Sequence, residues 1–282
     1  MRRLLRSRGE KKPLTVKSRF AILIAGWPIT ARVIQTINNN SNNLGKESKV
    51  NILTGITPTA PKLMLYSLPG VGKSTLASKL SKPIFLDLEG GLNYIDCART
   101  EQITDLDTFY TYLVELYRAS KREFDTIVID SVDWLVRKVV EKAAGISKDN
   151  LTETLNRSNG GYGNGKQVLE NHIRTKLLPT LVALNKKGYG ICLIAHAERK
   201  DMMDADGVDT ERITPKIDVN TMNVFVEWCD QVFYLKKDSN GDRTLVLDSD
   251  MVALAKNRLG MSGEVKLDDI DINKLLQPKG GK

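Results

Sequence analysis

An α/β fold is predicted for this 282-residue chain: a mostly parallel central sheet flanked by helices, with antiparallel strands toward the C-terminus. Three observations predict it. From Val50 onward, short β-branched or aliphatic runs alternate with longer amphipathic stretches, the signature of βαβ units. One such run, Leu63–Tyr66, leads into "SLPGVGKST", a glycine-rich turn that opens a helix. Another, "FDTIVIDS", ends in a carboxylate where a strand meets the edge of the sheet.

In chain order the candidate strands are Leu63–Tyr66, Pro83–Leu88, Thr126–Asp130, Gly190–Ala195, Asp230–Leu235 and Arg243–Leu247. Candidate helices are Lys73–Leu80, Leu106–Ser120, Val132–Ala144, Lys166–Lys187 and Asn220–Trp228. Two long polar connections interrupt the alternation. One contains "NRSNGGYGNGK", Asn156–Lys166, and the other runs from Glu198 to about Ile217. Connections of that length inside a compact domain are functional or disordered.

The composition leaves room for one large α/β domain or two small ones. No apolar run approaches the length that spans a bilayer. Cys97, Cys192 and Cys229 are scattered and include no C-x-x-C, which points to a reducing compartment and away from a disulfide framework or zinc site. With only His172 and His196, a histidine-rich metal centre is not expected. The net charge of +8 is concentrated at one end: residues 1–50 hold 11 Lys/Arg against Glu10 and Glu47, and the rest is close to neutral. A nucleic-acid surface on the body must therefore be a local patch.

Residues 1–49 form a basic extension with one apolar stretch, Phe20–Trp27, followed by "NNNSNN". A disordered tail is the plainer expectation. A cleaved signal is disfavoured by Pro28 and by the missing small-x-small site. A third reading makes the segment translated leader: Gly45-Lys46-Glu47 fits a purine-rich codon run, Ser48-Lys49 a spacer, and Val50 an alternative start. Intact mass of the natively expressed protein decides between them. The folded body is expected over 50–282.

"SLPGVGKST" fits the phosphate-loop pattern G-x-x-x-x-G-K-[ST] except that Ser67 stands at the first glycine. That position opens the loop away from the phosphates, and a small residue can occupy it. Pro69, Gly70, Val71 and Gly72 are placed to wrap backbone N–H groups around the β-phosphate of ATP, with the following helix aiming its positive end there. Lys73 would bridge the β- and γ-phosphates, Ser74 would ligate Mg²⁺, and Thr75 continues the site into the helix. The alternative is a glycine-rich turn that merely caps a helix.

Asp130, at the tip of its strand, is a candidate Mg²⁺ partner; the alternative is a helix N-cap, a task Ser131 can perform. "PIFLDLEGG" lies in sequence between the phosphate loop and that strand, and carries Asp87 and Glu89 at its end. Glu89 is the candidate general base, whereas Asp87 reads equally as a solvated acid. "GICLIAHAERK" places His196 at another strand tip, where it could touch the γ-phosphate or be an ordinary surface histidine.

Together these pieces resemble the RecA-like branch of P-loop ATPases, over roughly 51–265, and most closely the compact core-only RecA-type ATPases of bacteriophages. The resemblance implies a RecA-like P-loop NTPase core using ATP and Mg²⁺. It makes Glu89 in "LDLEGG" the acid that activates water, Asp130-Ser131 the magnesium element, and His196 the polar sensor before a second DNA loop. It also makes Lys256 and Arg258 in "AKNRLG" cations acting on a neighbour's γ-phosphate in a homo-oligomeric ring or filament; otherwise "KNR" is a solvated turn. The sequence departs from full-length recombinases at Ser67, in having nothing before Val50 like their oligomerisation domain, and in its short tail after Gly260. Single-strand binding and annealing fit it better than strand exchange in a stable filament.

The two polar connections match the two DNA-facing loops of that family. Arg157, Tyr162 and Lys166 come from the first; Arg199, Lys200, Arg212 and Lys216 come from the second. Cations with an aromatic suit single-stranded DNA, although Asp201, Asp204, Asp206, Asp209 and Glu211 oppose a phosphate backbone. The expected function is an ATPase acting on single-stranded DNA in phage or mobile-element recombination, repair or replication, in the cytoplasm of a bacterial host. A single-strand DNA-binding or replication protein is an expected partner. The rival is an AAA-type ATPase that loads or remodels a protein, such as a helicase loader. A GTPase is disfavoured because "NKKG", Asn185–Gly188, lacks the acid of N-K-x-D.

Overall fold

A computed structural model of the chain describes residues 52, 54–55, 57–144, 161–162, 164–203, 209–249, 252–269 and 271–277. The expectations for residues 1–49 and for Arg157 lie outside the described residues. Ile56–Lys282 makes up one compact unit.

Strand β1 (Lys62–Ser67) lies at the heart of the sheet. It is followed by α1 (Lys73–Ala77), β2 (Pro83–Asp87), the short β3 (Ala98–Arg99), α2 (Leu106–Arg118), β4 (Thr126–Asp130) and α3 (Val132–Ala144). Next come α4 (Asn164–His172), α5 (Leu178–Lys186), β5 (Gly190–Met203), β6 (Asp209–Pro215), α6 (Val219–Trp228) and β7 (Gln231–Lys237). β8 (Arg243–Val246), β9 (Lys256–Asn257), β10 (Glu264–Lys266) and α7 (Ile272–Leu275) complete the order. Across the sheet the strands run β10-β8-β7-β1-β5-β4-β2-β3, with β6 beside β5 and β9 beside β7. The run from β7 to β3 is parallel, while β8, β9 and β10 join antiparallel. The expected mostly parallel sheet with an antiparallel C-terminal side is what forms.

The central strands are buried on both faces, which explains their nearly continuous aliphatic sequences. Met64, Tyr66, Ile127, Ile129 and Leu193 face one core with α2 to α6; Leu63, Leu65, Val128, Cys192 and Ile194 face the other with α1 and α7. In space, β5 is the strand that separates the phosphate-loop strand from β4, and β2 lies beyond β4. Order along the chain does not carry over to order in the sheet.

Three expected elements differ. The helix expected over Lys73–Leu80 is α-helical only to Ala77, after which the Lys79 and Leu80 N–H groups close tighter turns on Leu76 and Ala77. The single helix expected over Lys166–Lys187 starts at Asn164 and carries a π-turn at Ile173–Leu177. Pro179 accounts for it, since it has no N–H for Thr175 and its ring crowds that carbonyl. The polar connection after Glu198 is largely an antiparallel ribbon, with Ala197 opposite Pro215 and Met203 opposite Asp209.

The root of that ribbon is tied to the core. Ile213 exchanges backbone hydrogen bonds with Val252 and Leu254, and the Tyr66 hydroxyl reaches the carbonyls of Ile213 and Leu254 at 3.1 and 2.6 Å. The Lys216 N–H donates to the His196 carbonyl at 2.8 Å, closing the ribbon where the sheet ends. No helix among the described residues is long and apolar enough to cross a membrane.

Candidate nucleotide site

Strand pairing aligns the tips that carry the chemistry. Ser67 of β1 lies opposite His196 of β5, and Asp87 of β2 lies opposite Asp130 of β4, which in turn neighbours Ile194. At this one edge β1, β2 and β4 end and β5 leaves the sheet, just where the phosphate loop leaves β1.

In the loop Gly70 and Gly72 take φ of +76° and +109°, the left-handed region that side chains avoid. Pro69 and Gly70 are exposed, Val71 is buried and pins the turn to the core, and Thr75 is exposed on α1. Ser67 is buried; its hydroxyl donates to the Leu68 carbonyl at 2.8 Å, and its own carbonyl lies 3.5 Å from Lys73 Nζ. A small residue suffices there, as the sequence suggested. Because α1 is only five residues long, a phosphate placed here would meet loop N–H groups and Lys73 rather than a long helix dipole.

Lys73 is buried, and burial draws its pKa below the usual lysine value; the carboxylates of Asp130, Glu89 and Asp133 act in the opposite direction. Ser74 Oγ donates to Asp130 Oδ2 at 2.6 Å. Burial pushes the Asp130 carboxyl up to about 6, helped by the charges of Glu89 and Asp87, while the Ser74 hydrogen bond and Lys73 restrain the rise. A buried carboxylate held against a hydroxyl presents the hard oxygen donors that Mg²⁺ takes, so Ser74 and Asp130 fit that ion. The Asp130–Ser131 peptide is cis.

Asp87 is not the solvated acid the sequence allowed. It is buried, and its Oδ1 accepts the N–H groups of Glu89 at 3.2 Å and Gly90 at 2.6 Å. That turn sets the backbone from which Glu89 projects. Glu89 Oε1 lies 3.5 Å from His196 Nε2, and His196 Nδ1 lies 2.9 Å from Asp133 Oδ2. The hydrogen bond to Asp133 is the chief reason that the His196 pKa lies above its ordinary value; burial opposes the rise, and Lys73 does so more weakly. Lys73, Ser74, Glu89, Asp130 and His196 are therefore brought to one place.

Other expected residues lie elsewhere. Lys256 and Arg258 lie at the opposite edge, since Lys256 pairs with Val232, beside Met64 near the start of β1. Lys256 Nζ caps the end of α6 through the carbonyls of Val226, Glu227 and Cys229, and Arg258 bonds Asp230 and the Glu227 carbonyl. They cannot reach the nucleotide of their own chain. Of the cations expected to meet DNA, Lys166 pairs with Asp218, Arg199 with Glu211 and Lys200 with Glu198. Arg212 lies on β6, Lys216 is exposed just past it, and Tyr162 is fully exposed.

Two residues at the site went unread in the sequence. Asp133 looks like an ordinary first-turn acid of α3, whose carboxylate there favours the helix dipole. Arg243, on β8, brings its guanidinium so near the loop that a Cβ on Gly72 would meet Nη1 at 3.1 Å. Only folding back through an antiparallel strand puts it there.

Residues 59–259 match the family described as AAA domain. The chain belongs to the AAA-domain family. This AAA-domain protein is 24% identical over 206 residues to the SPbeta prophage-derived uncharacterized protein YorG of Bacillus subtilis (strain 168), an overlap of 71% of the chain and 58% of that relative. The chain thus spans less than two thirds of that relative's length. Among solved structures it is similar to the RadB recombinase, with 16% identity, TM-score 0.42 and coverage of 74% of this chain and 87% of that one. It is also similar to a KaiC-like protein of Pyrococcus horikoshii OT3, with 14% identity, TM-score 0.41 and coverage of 75% and 86%.

Proposed function

We propose that this AAA-domain protein hydrolyses ATP in a Mg²⁺-dependent reaction and uses the cycle to change its grip on single-stranded DNA. The observation that carries this is the meeting of Lys73, the Ser74–Asp130 pair and the Glu89–His196 pair at one sheet edge. Bound Mg²⁺ would neutralise charge on the phosphate oxygens. Lys73 and the loop N–H groups bind and orient the triphosphate, and Glu89 takes a proton from the attacking water. The Arg243 guanidinium, close against Gly72, supplies a second cation over the phosphate loop.

Coupling to DNA is supported by the path of β5. The strand that ends the site at His196 continues directly into the ribbon, whose seven-residue arms reach roughly 23 Å from the sheet. The proposal includes homo-oligomers in which Lys256 and Arg258 face the next protomer's nucleotide, since both lie away from the phosphate-loop edge of their own chain. A role in phage or mobile-element DNA metabolism is in keeping with the prophage origin of the Bacillus relative.

A second reading, a protein-remodelling ATPase such as a helicase loader, is favoured by the ion pairs that neutralise Arg199 and Lys200 on the ribbon. ATPase rates of wild type and Lys73→Ala, with and without single-stranded DNA, separate the two. DNA-stimulated turnover abolished by Lys73→Ala supports the first reading. Turnover indifferent to DNA but raised by a replication or single-strand DNA-binding protein supports the second. No turnover under any condition refutes both.

A further inference from the structure

Asp133 lies off the phosphate loop and off every strand tip, yet it holds His196 at two points. Its Oδ1 accepts the backbone N–H of His196 at 3.2 Å and its Oδ2 meets Nδ1 at 2.9 Å. One carboxylate therefore clamps both the main chain and the ring of one residue. Burial works to raise the Asp133 carboxyl, but the hydrogen bonds and charge of His196, with Ser131 adding to them, hold it below the usual carboxylate range.

The clamp has a chemical consequence at the far side of the ring. With Nδ1–H donated to Asp133, a neutral imidazole would set its Nε2 lone pair against the Glu89 carboxylate 3.5 Å away. Two acids flanking the ring, against the single cation Lys73, instead favour the doubly protonated form, which donates on both sides. Nε2–H then faces Glu89.

We propose that Asp133 is a positioning residue for ATP turnover: by gripping His196 through Nδ1 and the backbone N–H, it fixes the direction of the Nε2–H donor beside Glu89. Because the ribbon starts at Ala197, the same grip anchors the catalytic end of the ribbon. The inference rests on the hydrolytic reading above for its kinetic effect, but not for its effect on the histidine.

The chain has only two histidines, so ring signals from His172 and His196 can be resolved by NMR and assigned with His196→Gln. In wild type, His196 is expected to titrate above the ordinary histidine value, and Asp133→Asn to lower it. In turnover assays Asp133→Asn is expected to reduce kcat on the order of 10- to 100-fold while KM for ATP stays within about twofold. Adding Asp133→Asn to His196→Gln should cost little more than His196→Gln alone, because both changes break one device. An ordinary His196 titration in wild type overturns the proposal without any variant, so a poorly folding Asp133→Asn does not shield it. Unchanged kcat, or full additivity with His196→Gln, overturns it too. If wild type hydrolyses no ATP while His196 titrates high and responds to Asp133→Asn, the clamp stands and the hydrolytic reading falls.

Discussion

Asp130→Asn should make the metal-free protein more stable while removing its activity. The carboxyl is 4% exposed, and burial is the main cause that moves it from the ordinary 3.8 to about 6. A group raised in the fold stabilises it fully below the unfolded value, and that contribution is lost as pH rises through the folded value. Above about pH 6 the wild type therefore carries a penalty of about 3 kcal/mol, at 1.36 kcal/mol per pH unit. Asparagine mimics the protonated acid and can still accept from Ser74 Oγ. For a unit of this size the penalty corresponds to roughly 6–12 °C in Tm. Thermal melts in EDTA from pH 4.5 to 8 should show Asp130→Asn above wild type at pH 7.5, with the gap narrowing toward pH 4.5. Added Mg²⁺ with nucleotide should raise only the wild type. A variant no more stable than wild type at pH 7.5, or a gap constant with pH, refutes this account of Asp130.

Other outcomes follow from the same contacts. Arg243→Ala should weaken nucleotide binding, measured by fluorescence of a labelled ADP, by about 1–3 kcal/mol, the worth of a charged hydrogen bond. Gly72→Ala should impair binding more broadly, because its φ of +109° strains any side chain and its Cβ meets Arg243. Lys256→Met should lower the urea midpoint by an amount worth about 1–3 kcal/mol, since three carbonyls at the end of α6 lose their donor.

The legible parts of the chain were those where local chemistry and spacing coincide. Gly70, Gly72 and Lys73 pointed to a phosphate turn because the glycines and the lysine stand at the pattern's spacing between a strand and a helix. β4 was readable to the residue, its aliphatic run stopping at Asp130. Glu89 and His196 were singled out by their places at strand ends, and the family resemblance added to those roles. Asp133 stayed hidden because an acid in a first helical turn has a sufficient local reason to be there. The β5–β6 ribbon was missed because "ERKDMM" and "DTERITP" alternate charges rather than apolar and polar residues. Without an alternating apolar set, the period-2 signal vanishes. Arg243 and the caps made by Lys256 depend on strands that meet only in the folded sheet.

The central claim is that Glu89 activates water against a triphosphate held by Lys73 and the phosphate loop. Phosphate release from ATP, measured alongside ATP affinity for wild type and Glu89→Gln, tests it most directly. The account predicts a kcat loss on the order of 100-fold or more with affinity kept within about twofold. Equal rates of phosphate release from the two proteins would contradict it.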